Sequence, residues 1–387
     1  MTSSTEMLRR WRLILGGAEA DGTLASLLGE DARMDAALGA LYDDDTGDGV
    51  ERRGGLGGSA PKVARWLGDI RRYFPASIVK VMQQDALERL DLKRMLLEPE
   101  LMEAAEPDAR LAATLVSLSA AMPHKALETA RLVVRRVVDD LERRLAQPLR
   151  QAVTGSLNRA ARNRRPRHAE IDWNRTIKAN LRHYQPEHET IIAETRIGYG
   201  RRRAALRDIM LCIDQSGSMA TSVVYASVFG AVLATLPAVQ TRVVVFDTAV
   251  VDLTEKLDDP VDLLFGVQLG GGTDIHQALS YCQSAVRSPQ DTILVLISDL
   301  FEGGDRGAML KRAASIVASG ATMIALLALS DDGAPAYDHH HAAEFAALGI
   351  PTFACTPDLF PELMAAAISR QDLGQWAARN DVITSRA

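Results

Sequence analysis

Cysteine is scarce in this chain, three residues in 387. Cys212, Cys282 and Cys355 stand at unrelated spacings, which excludes a disulfide scaffold and any C-x-x-C zinc signature. Free thiols fit a reducing compartment. Long apolar runs are also missing. Stretches such as Met323 to Leu329 fall far short of the roughly 20 residues a membrane-spanning helix needs. No repeat or low-complexity tract points to a collagen or a coiled coil. What remains is the balance of a globular protein, 47% apolar and 24% charged, and the length of two domains.

The N-terminus has the outline of an export signal, with Arg9, Arg10 and Arg12 ahead of Leu13-Ile14-Leu15-Gly16-Gly17-Ala18. Glu19 and Asp21 cut the apolar stretch short of the roughly 7–15 residues such a signal requires. Residues 1–20 therefore read as the first amphipathic helix of a cytoplasmic protein.

Charge divides the chain. Residues 204–387 carry 10 Lys+Arg against 21 Asp+Glu, a net of −11, whereas residues 1–203 carry 34 against 29, a net of +5. Within 153–203, 12 basic residues oppose 5 acidic ones. Three segments follow: a helical scaffold or docking domain at 1–152, a basic connector at 153–204, and an acidic domain at 205–387. In the first, Leu24, Leu27, Leu28, Met34, Leu38 and Leu41 recur at helical spacing. The Asp/Gly-rich stretch Asp43 to Gly58 breaks that pattern and predicts a mobile loop. Pro61 and Pro75 open two further helices. Pro123 precedes a long amphipathic run through Val133, Val137, Leu141 and Leu145. In the connector, Arg159, Arg162, Arg164, Arg165 and Arg167 crowd into nine positions. Interleaved aromatics are few (Trp173, Tyr184, Tyr199) and the protein as a whole is acidic. A solvated helix end or a patch for an acidic partner surface explains the arginines better than nucleic acid.

From about 205 the texture changes to alternating strand and helix. Ile209 to Ile213 is apolar throughout, as a strand buried on both faces should be. The pattern predicts a helix over 225–236 and strands at 243–246 and 250–253 joined by a tight hairpin. Helix 275–286, strand 293–298, helix 308–318 and strand 323–329 follow. Helix 342–348, a short strand at 352–355 and a closing helix near 359–369 complete it. The expected fold is α/β, a doubly wound, mostly parallel sheet preceded by an all-α domain.

Oxygen donors collect at the strand ends. Asp214-Gln215-Ser216-Gly217-Ser218 ends the first buried strand, Thr273 follows Gly270-Gly271-Gly272, and Asp299 closes Leu296-Ile297-Ser298. In a doubly wound sheet ligands bind beyond the carboxyl ends of the strands. Asp214, Ser216, Ser218, Thr273 and Asp299 thus supply five hard ligands from three loops, which suits a divalent cation. Mg²⁺ is the expectation from ligand hardness and abundance, and Mn²⁺ or Ca²⁺ would fit the same donors. The glycine run is no phosphate loop, because no Gly-Lys-Ser/Thr follows it. Ser216 lies in no Gly-x-Ser-x-Gly elbow. His339-His340-His341 after Asp338 reads as a solvated loop entering a helix rather than a metal site. The three cysteines fall in predicted core elements.

Asp-x-Ser-x-Ser, a later Thr-Asp and an Asp ending the next buried strand resemble the metal-ion-dependent adhesion site of von Willebrand factor A (VWA) domains, here from residue 205 to the C-terminus. The resemblance implies direct ligation by Ser216, Ser218 and Thr273. It gives Asp214 and Asp299 roles largely through waters, with one metal position left for a carboxylate from a partner protein. A helical domain ahead of the module, with neither export signal nor disulfides, is similar to bacterial CoxE-like and ViaA-like proteins, which work with MoxR-type AAA+ ATPases. No Walker motif is present, so the ATPase would be a separate polypeptide. The implied function is a non-enzymatic, Mg²⁺-dependent adaptor or co-chaperone in protein-complex or metal-cofactor assembly. The alternative is a non-catalytic VWA subunit of an ATP-driven metal chelatase. Against that alternative, such subunits carry an acidic, Pro-rich linker, whereas residues 43–60 are acidic only at Asp43 to Asp45 and Asp48.

Overall fold

A computed structural model describes residues 29–42, 60–89, 105–160, 171–188, 193–199, 207–236, 239–266, 271–330 and 336–382, with Leu27, Met102, Arg162–Asn163 and Thr190–Ile191. The expected first helix at 1–20, the Asp43–Gly58 loop and most of the arginine cluster lie outside these residues. The chain forms two compact units, residues 1–137 and 138–387.

In the first unit the expected helical segments become α1 (Glu30–Tyr42), α2 (Ala60–Tyr73) and α3 (Ala76–Arg89), and a further helix, α4 (Ala109–Leu118), follows. The apolar faces of α1, α2 and α3 build one core from Ala37, Leu41, Val63, Trp66, Leu67, Ile70, Val79 and Met82. Trp66 is buried because its indole N–H finds an acceptor, the Ala37 carbonyl at 2.9 Å, as a buried tryptophan requires. Asp108 caps α4, accepting from the Leu111 N–H at 2.7 Å. Helix α5 (His124–Ala160) continues for 37 residues, past Pro148. The unit boundary therefore falls inside a helix, whereas the helical domain was expected to end at residue 152.

The basic segment 153–204 belongs to the second unit, and its described residues have structure of their own. Helix α6 (Trp173–Ala179) is stitched to residues 195–197 by two buried polar side chains. The Asn180 amide donates to the Thr195 carbonyl at 2.7 Å and accepts from the Thr195 N–H at 3.1 Å. The Thr176 hydroxyl likewise engages both backbone groups of Ile197. Buried polar groups that are fully paired specify one conformation.

The remainder is a six-stranded sheet covered by helices. Strands β1 (Arg207–Asp214), β2 (Val239–Phe246), β3 (Val250–Asp252), β4 (Thr292–Ile297), β5 (Thr322–Leu329) and β6 (Thr352–Cys355) lie in the order β6-β5-β4-β1-β2-β3. All pairs are parallel except β2 with β3. The order reverses between β1 and β4, so the crevice at a topological switch point opens beyond their carboxyl ends. Helices α7 (Ala220–Ala234), α8 (Pro260–Leu264), α9 (Ile275–Ala285), α10 (Arg306–Ala318), α11 (His339–Ala347), α12 (Phe360–Ile368) and α13 (Leu373–Arg379) flank the sheet. The window Gly217–Ala234 is long and apolar enough to cross a membrane by composition. It is the longest apolar stretch among the described residues, longer than Met323–Leu329. Yet Ser222 to Leu233 are buried within the unit, as in a helix apolar on every side that serves as core. A Cβ at Gly230 would stand 2.8 Å from the Val243 side chain, so glycine lets α7 lie close on β2. Cys212, Cys282 and Cys355 are all buried and free, and burial pushes the Cys355 thiol up to about 12.

Two short helices flanking the sheet were not anticipated. α8 follows Asp259, which caps it at 2.8 Å, with Pro260 at its first turn. α13 follows Asp372, its cap. The histidine triplet was expected in a loop, and instead it forms the first turn of α11. Asp338 accepts from the His340 and His341 N–H groups at 2.9 Å each, and that cap starts the helix three residues early.

Candidate cation site at the sheet edge

Parallel strands β1 and β4 run side by side, Ile213 beside Ile297. Asp214 and the pair Ser298-Asp299 thus leave the sheet at the same edge, 84 residues apart in sequence. The Asp214 carboxylate is held on both oxygens. Oδ1 accepts from the Ser216 N–H at 2.8 Å and Oδ2 from the Ser298 hydroxyl at 2.7 Å. Ser218 Oγ donates to Asp299 Oδ2 at 2.5 Å, and Ser216 Oγ lies 3.2 Å from Ser218 Oγ. Because the Ser218 proton goes to Asp299, the Ser216 hydroxyl is the donor between the serines. Asp214, Ser216, Ser218 and Asp299 form one hydrogen-bonded cluster.

Thr273 is joined to the loop after Asp299 through the backbone. Its carbonyl accepts from the Gly303 N–H at 2.8 Å, which ties the 271–274 loop to the loop that follows Asp299. A Cβ on Gly303 would be 2.9 Å from that carbonyl, so glycine permits the approach. Gly271 takes φ +115, a left-handed value open to glycine. Asp274 then caps α9, accepting from the Gln277 N–H at 2.8 Å.

Electrostatics single out this edge. Among the described residues the buried carboxylates are Asp214 and Asp299, 0% and 3% exposed. They belong to the same cluster, and neither is ion-paired with a lysine or arginine there. Burial raises the Asp214 carboxyl to about 6, the nearby Asp299 adds to the rise, and the bonds from Ser216 and Ser298 oppose it. An unpaired buried carboxylate costs free energy unless a cation or proton neutralises it. Ser218 is exposed and Ser216 half-buried, so hydroxyls rim the carboxylates on the solvent side. Hydroxyls over carboxylates are a hard-oxygen donor set suited to Mg²⁺. No three side chains of His, Cys, Asp and Glu gather as ligands among the described residues. A softer metal has no such cage there.

Three neighbours escaped sequence reasoning. Ser298 holds Asp214, and only the pairing of β1 with β4 reveals it. Glu302 accepts from the Ile275 N–H at 2.7 Å and the Gly304 N–H at 2.9 Å, closing the start of α9. Its carboxyl is raised by burial and by Asp274. Leu300, beside Asp299, has φ +64 with its side chain fully buried. A left-handed residue with a branched side chain costs roughly 1–2 kcal/mol, which its surroundings must offset.

Comparison with known proteins places the chain in a family. Residues 141–364 match the family model for the VWA domain containing CoxE-like protein. The chain is 34% identical over 381 residues to the uncharacterized protein YehP of Escherichia coli (strain K12), covering 97% of each. An aerotolerance-related membrane protein from Bacteroides fragilis NCTC 9343 is 15% identical, over 43% of this chain and 99% of that one, with a TM-score of 0.33. A von Willebrand factor type A structure from Catenulispora acidiphila is 13% identical, over 43% and 42%, with a TM-score of 0.31. On the family model and the Escherichia coli relative, the chain belongs to the CoxE-like family of VWA-domain proteins.

Proposed function

We propose that this chain is a protein-interaction module that takes a divalent cation at Asp214, Ser216, Ser218, Thr273 and Asp299. Mg²⁺ is the expected ion, with Mn²⁺ or Ca²⁺ as substitutes. The observation that carries the reading is the meeting of two buried carboxylates, without a basic partner, under a rim of serine hydroxyls. When bound, the cation would supply a Lewis-acidic position for a carboxylate from a partner protein.

The chain's own residues prepare that position. Ser216 N–H and Ser298 hold the Asp214 carboxylate still, Ser218 holds Asp299, and the Gly303–Thr273 bond joins the loops. Membership of the CoxE-like family supports a partnership with a MoxR-type AAA+ ATPase. In that partnership the protein would serve as a cytoplasmic adaptor or co-chaperone, with the acidic side chain belonging to the ATPase or its client. Affinity purification in Mg²⁺ and ATP tests the reading with wild type and Asp214→Ala. Recovery of an AAA+ ATPase or its client by wild type alone is expected, and equal recovery by both would overturn metal-dependent capture.

A further inference from the structure

Asp214, Asp299 and His341 are the buried residues among the described Asp, Glu, His, Lys and Arg side chains, and all three converge on one loop. Two are candidate ligands. The third, His341, is 7% exposed, comes from the first turn of α11, and has no part in the donor set.

His341 Nδ1 lies 2.9 Å from the Leu300 carbonyl oxygen and 3.0 Å from Asp338 Oδ2. Both neighbours can only accept, so Nδ1 carries a proton and donates. Asp338 orients the ring through one carboxylate oxygen and caps α11 through the other. Its own N–H donates to the Asp299 carbonyl at 2.9 Å. The start of α11 therefore holds two consecutive carbonyls, Asp299 by a backbone N–H and Leu300 by an imidazole.

On the opposite side Leu300 N–H donates to Ser298 Oγ at 3.1 Å, the hydroxyl that in turn holds Asp214. The left-handed turn at Leu300 is thus pinned from both sides, and the Asp299 carboxylate projects from between the pins. A helix cap needs only Asp338. A buried imidazole aimed at the carbonyl of a left-handed residue does something further.

We infer that His341 is a positioning residue of the cation site. Through the Leu300 carbonyl it fixes the turn that presents Asp299. This rests on the reading of the site given above. Groups that hydrogen-bond a metal ligand directly typically change affinity about 10–100-fold when removed, and His341, which acts one residue further out through Leu300, belongs at the low end of that range.

The test uses the full chain with His341→Ala, His341→Asn and His341→Gln. An asparagine amide nitrogen can stand where Nδ1 stands, while that of glutamine matches Nε2. Mg²⁺ affinity is measured by titration calorimetry. Hydrogen exchange in EDTA is followed over residues 298–303 and, as a remote reference, 360–379.

In His341→Ala we expect at least about tenfold weaker Mg²⁺ binding, with faster exchange at 298–303 and none at 360–379. His341→Asn should stay within about threefold of wild type and His341→Gln should resemble alanine. Should alanine not fold, the asparagine–glutamine contrast decides. Wild-type affinity in alanine and glutamine overturns the proposal alone, as does faster exchange spread evenly over both segments. Absence of Mg²⁺ binding by wild type overturns the site reading, and the proposal with it.

Discussion

The two ends of the central sheet are built on opposite terms. At the carboxyl ends of β1 and β4, buried carboxylates meet without a basic partner and the backbone turns left-handed at Leu300. At the amino end of β5 an open groove of about 460 Å³ is lined by Val317, Met323, Ile350 and Leu373. Near the amino ends of β1 and β4 charges are paired, Arg207 with Asp291 at 2.6 Å. One end gives up stability to hold a charge arrangement, and the other contributes stability through apolar contact. That division is what a ligand site on a rigid scaffold requires.

The largest test of this contrast is at the apolar end. Ile350, 1% exposed beneath the groove, should cost about 2–5 kcal/mol when cut to alanine. Denaturant melts measure this, and the difference between EDTA and Mg²⁺ curves should stay at the wild-type value.

At the charged end the test is pH. The Asp214 carboxyl stands at about 6 in the folded chain against 3.8 as a free group. The folded state therefore holds this proton more tightly, and the stability it lends is complete below pH 4 and lost as pH rises through 6. In EDTA, wild type should lose about 2 kcal/mol relative to Asp214→Asn between pH 4 and pH 7. Parallel pH profiles for the two would show that this carboxylate carries no burial penalty. The smallest effect belongs to the paired charges. Asp291 is 39% exposed, and Arg207→Gln should cost under about 1 kcal/mol, less still in high salt.

Legibility in the sequence followed the same division. Continuous apolar runs such as Ile209–Ile213 announce strands buried on both faces, and the short strand Thr352–Cys355 fell where its pattern placed it. Asp214, Ser216, Ser218 and Asp299 were legible because the motif lies at strand ends, and the fold brings these four together. Ser298 and His341 were not, since their partners lie 84 and 41 residues away and only strand and helix packing joins them. The early start of α11 could have been read from Asp338, a preferred cap residue. α8 had the same signal in Asp259-Pro260. The reach of α5 across the unit boundary was legible in the amphipathic run through Val133, Val137, Leu141 and Leu145, whereas its continuation past Pro148 had no local sign, because a helix continues wherever tertiary packing rewards it.

The central claim is that the two buried carboxylates await a cation, and thermal melting of the full chain in EDTA and in millimolar Mg²⁺ tests it most directly. Binding to the folded state alone stabilises by about 2.7 kcal/mol at a hundredfold excess over Kd. The wild-type midpoint should rise in Mg²⁺, while Asp299→Asn, one buried charge lighter, should be no less stable in EDTA and respond less. Superimposable wild-type curves in EDTA and Mg²⁺ would contradict the account.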